Sequence, residues 1–477
     1  MSQALIKKTR IFLKKSLMLG VIVICALFTL QVQAELPVAE QLKALRQQST
    51  DWLYGYSPTQ PILLGGFNDK PGMMPERMRE YFAWLSSPKE ISISAKDPSL
   101  HWRRVGACCS FKTPNGPIEE TGLLDIYEVT VPGERPVRLF VNHYDEGLIM
   151  APSGLYLHLS NNWQKEWAPA LAAYRKGAWQ QAVDELKKLV AVQQGKGGGL
   201  AEYLLQISYH NLKDDNQADD WMVKAAELKH PEALADIAVI VVNHDPVGAE
   251  NMLRSGATKG GSFASLNLAF KILQDNPDTQ RWLSAVFFLY IAAEQGEAAA
   301  QLKLAQVLHD DKIRPVSERI LRIHDADEIM MWLQTAKLLR PDGASQIDPF
   351  IEQFAKDFAI ADLKPSEDAA KAWKASFQRP DFALGLYTDA LKGDAHSAYD
   401  YAIMLSLGQV VPADETRSIA WLIASCQGGY EGAVQAFTGY IGIPCQDLSP
   451  TAVAKITSES KREKVVNGLR LLQAWVK

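Results

Sequence analysis

At 477 residues and 47% hydrophobic composition, the chain is long enough for two or three folded domains. Its formal charge of −5 excludes nucleic-acid binding by general electrostatic attraction, which needs a basic surface. Of five cysteines, Cys108, Cys109, Cys426 and Cys445 lie beyond Cys25, and in an oxidising compartment these four permit three pairings among which the sequence does not choose.

The first 34 residues have the parts of a secretory signal. Lys7, Lys8, Arg10, Lys14 and Lys15 precede the apolar run Leu17–Leu30, and Val32-Gln33-Ala34 offers small residues for cleavage before Glu35. The run is shorter than the ~20 residues of a membrane span. Lipoprotein processing at Cys25 would need a small residue before it, and Ile24 stands there. Cleavage after Ala34 is therefore expected, giving a periplasmic or secreted chain with no stable membrane span. Loss of the five basic residues would take the formal charge to about −10.

Residues 35–160 read as a small α+β domain. A short helix is expected over 38–52. Gly65-Gly66 and Pro71-Gly72 mark turns, and Pro75 opens a helix with Met78, Tyr81, Phe82 and Leu85 on one side. Near residue 90 the hydrophobic period changes to two. Ile91 and Ile93, Trp102–Phe111, Leu123–Val131 and Val137–Val141 suggest antiparallel strands, the last two joined across Pro132–Pro136.

This region holds most of the reactive side chains. Cys108 and Cys109 are adjacent, with α-carbons ~3.8 Å apart, below the usual disulfide range of about 4.4–6.8 Å. A bond between them would suit a redox or conformational switch. The plainer reading puts them on opposite faces of one strand, one buried and one loosely exposed. His101, Asp125, Glu128, His143 and Asp145 could be assembled into a metal site or a Cys–His pair, but no spacing among them is diagnostic. No catalytic, cofactor-binding or metal-ligating set is expected.

From Trp163 the strand signals give way to alanine-rich helical periodicity. Residues 163–200 form a helix pair and loop resembling one tetratricopeptide unit, with Tyr174, a Gly177-Ala178-Trp179 turn, then Ala182, Leu186 and Leu189. The stretch Ala292–Leu304 reads as a helix end, a glycine turn and a new helix: Ala292 and Ala293 are small, Gly296 can take the left-handed conformation, and Ala300 and Leu304 share one face. Glu294 and Gln295 are placed as exposed helix-end residues. The junction recurs. Its second alanine aligns with Ala226, Ala257, Ala390 and, in the same slot, Cys426, in steps of 31, 36, 97 and 36 residues. Eleven positions on from the four alanines come Ile237, Leu268, Leu304 and Tyr401.

These units resemble Sel-one-like repeats, relatives of tetratricopeptide repeats of about 36 residues. The best match is 393–429, where Gly408, Val411, Asp414, Arg417, Ser418, Trp421 and Gly429 keep the family's spacing. Ala218, Trp221, Lys224, Ala225 and Ala226 match the second-helix motif; Gly385 stands in a tryptophan slot. Together with Ala257, Gly260 and Gly393, these residues are expected to pack and turn the chain, not to bind ligand. Residues 201–445 would be the repeats, with a divergent insertion at 306–380, and 446–477 a C-terminal capping helix. The fold class is thus an α+β domain followed by an all-α right-handed helical-repeat solenoid. Cys426 and Cys445 flank one helix at a separation a disulfide can reach.

What the resemblance implies is partner recognition without chemistry: a periplasmic adaptor gripping a protein or peptide of the cell envelope on a concave surface. Two competing readings are a thiol-redox or metal-dependent activity centred on Cys108 and Cys109, and a purely structural envelope protein.

Overall fold

The computed structural model describes residue 49 and residues 53–68, 73–86, 101–130, 135–158, 163–193, 198–373, 378–408 and 410–476. The expected signal segment, the helix expected over 38–52 apart from Ser49 (which is not helical), Pro71-Gly72, and Ile91 with Ile93 lie outside these residues. Among those described, a small α/β region containing one α-helix precedes eighteen α-helices, most of them packed as repeats.

The first region holds β1 (Ile62–Leu63), α1 (Met73–Trp84), β2 (Leu85–Ser86), β3 (His101–Lys112), β4 (Thr121–Thr130), β5 (Val137–Asn142) and β6 (Tyr156–Leu157). One sheet has the order β1-β5-β4-β3, and β2 pairs with β6 in a second. The expected pairing of the two central strands is present as an antiparallel ladder from Val129↔Val137 to Asp125↔Val141. Tyr81 and Phe82 of α1 are buried against Tyr127, Val129, Leu139 and Val141 of the sheet. Leu85, expected on the same helix, instead pairs with Leu157 in β2, because α1 ends at Trp84.

The array runs through α2 (Trp163–Arg175), α3 (Trp179–Gln193), α4 (Leu200–Asn211), α5 (Asp215–Glu227), α6 (Pro231–Val241), α7 (Pro246–Ala257), α8 (Ser262–Gln274), α9 (Thr279–Glu294), α10 (Ala298–Lys312) and α11 (Ala326–Leu339). It continues with α12 (Ala344–Asp357), α13 (Lys364–Trp373), α14 (Asp381–Lys392), α15 (Ala395–Leu407), α16 (Glu415–Gln427), α17 (Glu431–Ile441), α18 (Pro450–Ala454) and α19 (Glu459–Val476).

The repeat is visible in backbone detail. Three residues after Ala226, Ala257, Ala293, Ala390 and Cys426 the chain enters the left-handed region, at Lys229, Gly260, Gly296, Gly393 and Gly429 (φ 65–100°). Each of these N–H groups donates to the carbonyl three residues back, and the next N–H reaches five back: Gly296 to Ala293 and Glu297 to Ala292, for example, at 3.1 and 3.0 Å. This double bond closes a helix end by using carbonyls that the helix itself cannot satisfy. Eleven residues past each junction, Ile237, Leu268, Leu304, Tyr401 and Phe437 are all buried. The second helices start alike: Asp214, Asp245, Asp278, Asp325 and Asp414 each accept the backbone N–H three residues on.

Within the divergent segment, α11 takes the position of an ordinary second helix, with Asp325 as cap and Trp332 and Ala336 buried. What departs from the pattern is the connection before it, pinned by buried Asp311, which accepts from the N–H groups of Ile320 and Leu321 at 2.9 Å. The helices α12 and α13 are additional. At the far end α19 lays Trp475 on Trp421 (centroids 5.0 Å) and brings Gly468 against Ile419, where a Cβ would come within 2.7 Å of the side chain.

Candidate binding cleft

Three successive junction turns face the α/β region. At the first, His230 lies between aromatic rings: Tyr203 stacks on it at 4.3 Å, and the Tyr156 hydroxyl sits 3.3 Å from Nε2. At the second, the Lys259 carbonyl accepts from the Gly154 N–H at 3.2 Å. Gly260 is so close that a Cβ would fall 2.5 Å from the Gly154 nitrogen. At the third, Arg135, just before β5, donates to the Glu294 carboxylate. Further along, Arg138 donates to the Gly408 carbonyl, and the Gln378 N–H to the Pro136 carbonyl at 3.1 Å. The turns that repeat in sequence thus form the seat of the preceding region.

Between seat and sheet lies a cleft of about 960 Å³. Its aromatic walls come from both sides: Tyr56 and Tyr156 from the α/β region, Tyr174, Tyr203 and Trp373 from the array. Charges of both signs enter it through Arg135, Lys259, Glu232 and Asp381. Burial pushes Glu232 up to about 7 and Asp381 to about 7. Burial, with Lys229 nearby, brings Lys259 down to about 8, and burial holds His230 neutral at about 3. One Glu232 oxygen faces the start of the next repeat, accepting from the Ser262 N–H at 3.1 Å; the other is buried without a hydrogen-bond partner among the described residues.

Glu294 belongs both to the cleft and to a buried ionic network behind it. It is 3% exposed, not the exposed helix-end residue that its sequence position suggested; only Gln295 is exposed. The correction has a clear cause. Arg135 binds one carboxylate oxygen and Arg379 the other at 2.6 Å, while Arg379 also reaches Glu328 at 2.6 Å. Tyr387 donates to the second Glu328 oxygen, and Arg417 pairs with Asp325. Burial would raise Glu328, but the charge and hydrogen bonds of Arg379 outweigh it and hold the carboxyl below its ordinary value. A carboxylate can stay ionised in such a place only with these partners.

Comparison with solved structures finds helical-repeat proteins. The chain is similar to Sel1 repeat proteins. One is a protective antigen of uropathogenic Escherichia coli with an SLR fold: 14% identity, 66% of this chain and 77% of the other covered, TM-score 0.30. Another is a Sel1 repeat protein from Oxalobacter formigenes, at 17% identity, 57% and 96% coverage and TM-score 0.26. A third is a putative Sel1 repeat protein from Klebsiella pneumoniae, at 16%, 52% and 95%, and TM-score 0.16. No family model matches the sequence, and no curated protein matches it.

The repeat residues named from the sequence sit inside the array: Ala225, Ala257, Ala292, Ala293, Ala300, Leu304 and Trp421 are fully buried, and Ala218, Trp221 and Ala226 nearly so. Of the polar residues singled out in the sheet, Asp125 and His143 approach each other, with Oδ2 and Nε2 3.7 Å apart, while Glu128 and Asp145 are engaged elsewhere. Glu128 pairs with Arg103 and Arg138. Asp125 pairs with Arg104 at 2.8 Å, and the Tyr127 hydroxyl lies 3.1 Å from His143 Nε2. Asp145 organises a turn by accepting from Thr113, Asn115 and Asn142. Among the described residues no group of three or more His, Cys, Asp or Glu side chains is placed to hold a metal.

The cysteines depart from the plain strand reading. Cys109 takes φ 58° and interrupts the ladder, so Cys108 pairs with Leu124 and Ser110 with Leu123. The sulfurs of Cys108 and Cys109 are joined, as are those of Cys426 and Cys445, with α-carbons 3.7 and 6.3 Å apart. Sequence reasoning missed the cleft residues Tyr156, Tyr203, His230 and Glu232. The last two stand four and six residues after the first junction alanine, Ala226, which was the available signal.

Proposed function

We propose that this is an exported, non-catalytic binding protein, in which the helical array and the α/β region together hold a short segment of a cell-envelope protein or peptide. The cleft between them carries this reading. Its volume stands near the top of the range of about 300–1,000 Å³ found for ligand sites. Tyrosine-rich walls offer rigid contact area at low entropic cost and a polar rim for backbone groups. An extended peptide fits this mixture of aromatic surface and paired and unpaired charge. Because the α/β region is seated on the junction turns, the partner meets both parts at once. This differs from a free concave surface gripping a partner alone. Among the described residues no helix is long and apolar enough to cross a membrane, and an N-terminal signal accords with delivery to the envelope.

The test is affinity capture from envelope extracts with the full chain and with Tyr174→Arg, which places a charge on the cleft wall. A polypeptide retained by the first and lost by the second, with both variants folded, is the expected result. Equal retention by both would place binding elsewhere. A mature protein beginning other than at Glu35 would overturn the export step as drawn.

A further inference from the structure

We propose that Cys108 and Cys109 form a redox-modification site, opened by a dithiol reductant and closed by exchange with a small-molecule disulfide that leaves as two thiols, whose state is read at the contact between sheet and array. The inference is independent of the cleft.

In a regular strand neighbouring side chains point to opposite faces, so adjacent cysteines do not meet. Here the strand gives up that alternation at one residue. Cys109 enters the left-handed region, which is unfavourable for a non-glycine residue, and the ladder slips between Cys108 and Ser110. Two free thiols provide no reason for that conformation; a bond between them does. The site is also open. The strand β3 is the sheet's edge, and Cys109 and Ser110 are exposed. Cys426 and Cys445, by contrast, are 3% and 1% exposed at the end of the array.

Cys108 links the pair to the rest of the molecule. It is half-buried against Leu124, Ile126 and Phe140, the same small cluster on which Phe382 and Val410 of the array press. A change of register at β3 therefore moves a surface that the array touches. In the reaction, a reductant thiolate attacks the exposed Cys109 Sγ, and the electron pair of the S–S bond leaves on Cys108 Sγ, which takes a proton. The second reductant thiol then attacks the mixed disulfide and releases Cys109 as a thiol. The protein gains two electrons and two protons, and the reductant leaves as a disulfide.

The experiment uses the intact chain and dithiothreitol, read by iodoacetamide mass mapping and amide hydrogen exchange. Without reductant, Cys108 and Cys109 should resist alkylation. Low-millimolar dithiothreitol should make both react while Cys426 and Cys445 stay protected. Exchange should then rise about tenfold or more in 101–130 and in the array segments around Phe382 and Val410, and return on reoxidation. Cys109→Gly, which keeps the left-handed conformation without the bond, should lose the response. Alkylation of both thiols in untreated protein, or exchange in the array unchanged by reduction, would overturn the proposal.

Discussion

Lys229 occupies a position that glycine holds at the four other junctions, and its φ of 65° carries a cost that those glycines avoid. Lys229→Gly should stabilise the protein by about 0.5–1 kcal/mol, seen as a higher denaturant midpoint. The glycines themselves are not equivalent. A Cβ on Gly296 would meet only Trp373, at 3.8 Å, whereas one on Gly260 would strike the backbone of Gly154. Gly296→Ala should therefore cost about 1 kcal/mol of local strain. Gly260→Ala should in addition loosen the seat, with faster amide exchange at Gly154 and Leu155. The glycine turns were legible in the sequence because left-handed backbone selects glycine. Lys229 was not, since nothing about a lysine announces a positive φ.

At the scale of elements, the end of α9 is held by an arginine 85 residues later and another 159 residues earlier. Such separations explain why Glu294 looked like a solvated helix end: helical periodicity records which face is apolar, not which distant cation will arrive. Removing Arg379 leaves Glu294 and Glu328 buried with too little countercharge. Arg379→Ala should cost about 3–5 kcal/mol in denaturant unfolding. The sign with pH follows from the shifts. Glu328 is depressed in the folded protein, so its contribution is present above its unfolded value and is lost as pH falls through the lower folded one. Glu232 is raised from near 4.5 to about 7, so it favours the folded state in acid and withdraws that support as pH rises across this interval. Glu232→Gln should flatten the stability profile between about pH 4.5 and 7, measurable by urea titration across that range.

For the whole molecule, the division into a sheet region and a helical array was legible from the change of hydrophobic period, because each element buries one face. The central hairpin was legible for the same reason. Their docking was not. Arg135, Arg138, Gly154 and Tyr156 carry no pattern of their own, and their partners lie in turns whose other role is to reverse the chain. The divergent segment shows the same limit: Trp332 and Ala336 are buried as in an ordinary second helix, but the long connection pinned by Asp311 hid that helix's place in the repeat. The proposed partner enters between the seated sheet and the junction turns. A photo-crosslinking amino acid placed at Tyr203 on the cleft wall, and separately at exposed Val247, tests it in intact cells. A discrete envelope adduct from position 203, absent at 247 and abolished by Tyr174→Arg, is the predicted result. The same adduct from position 247 and none from 203 would contradict it.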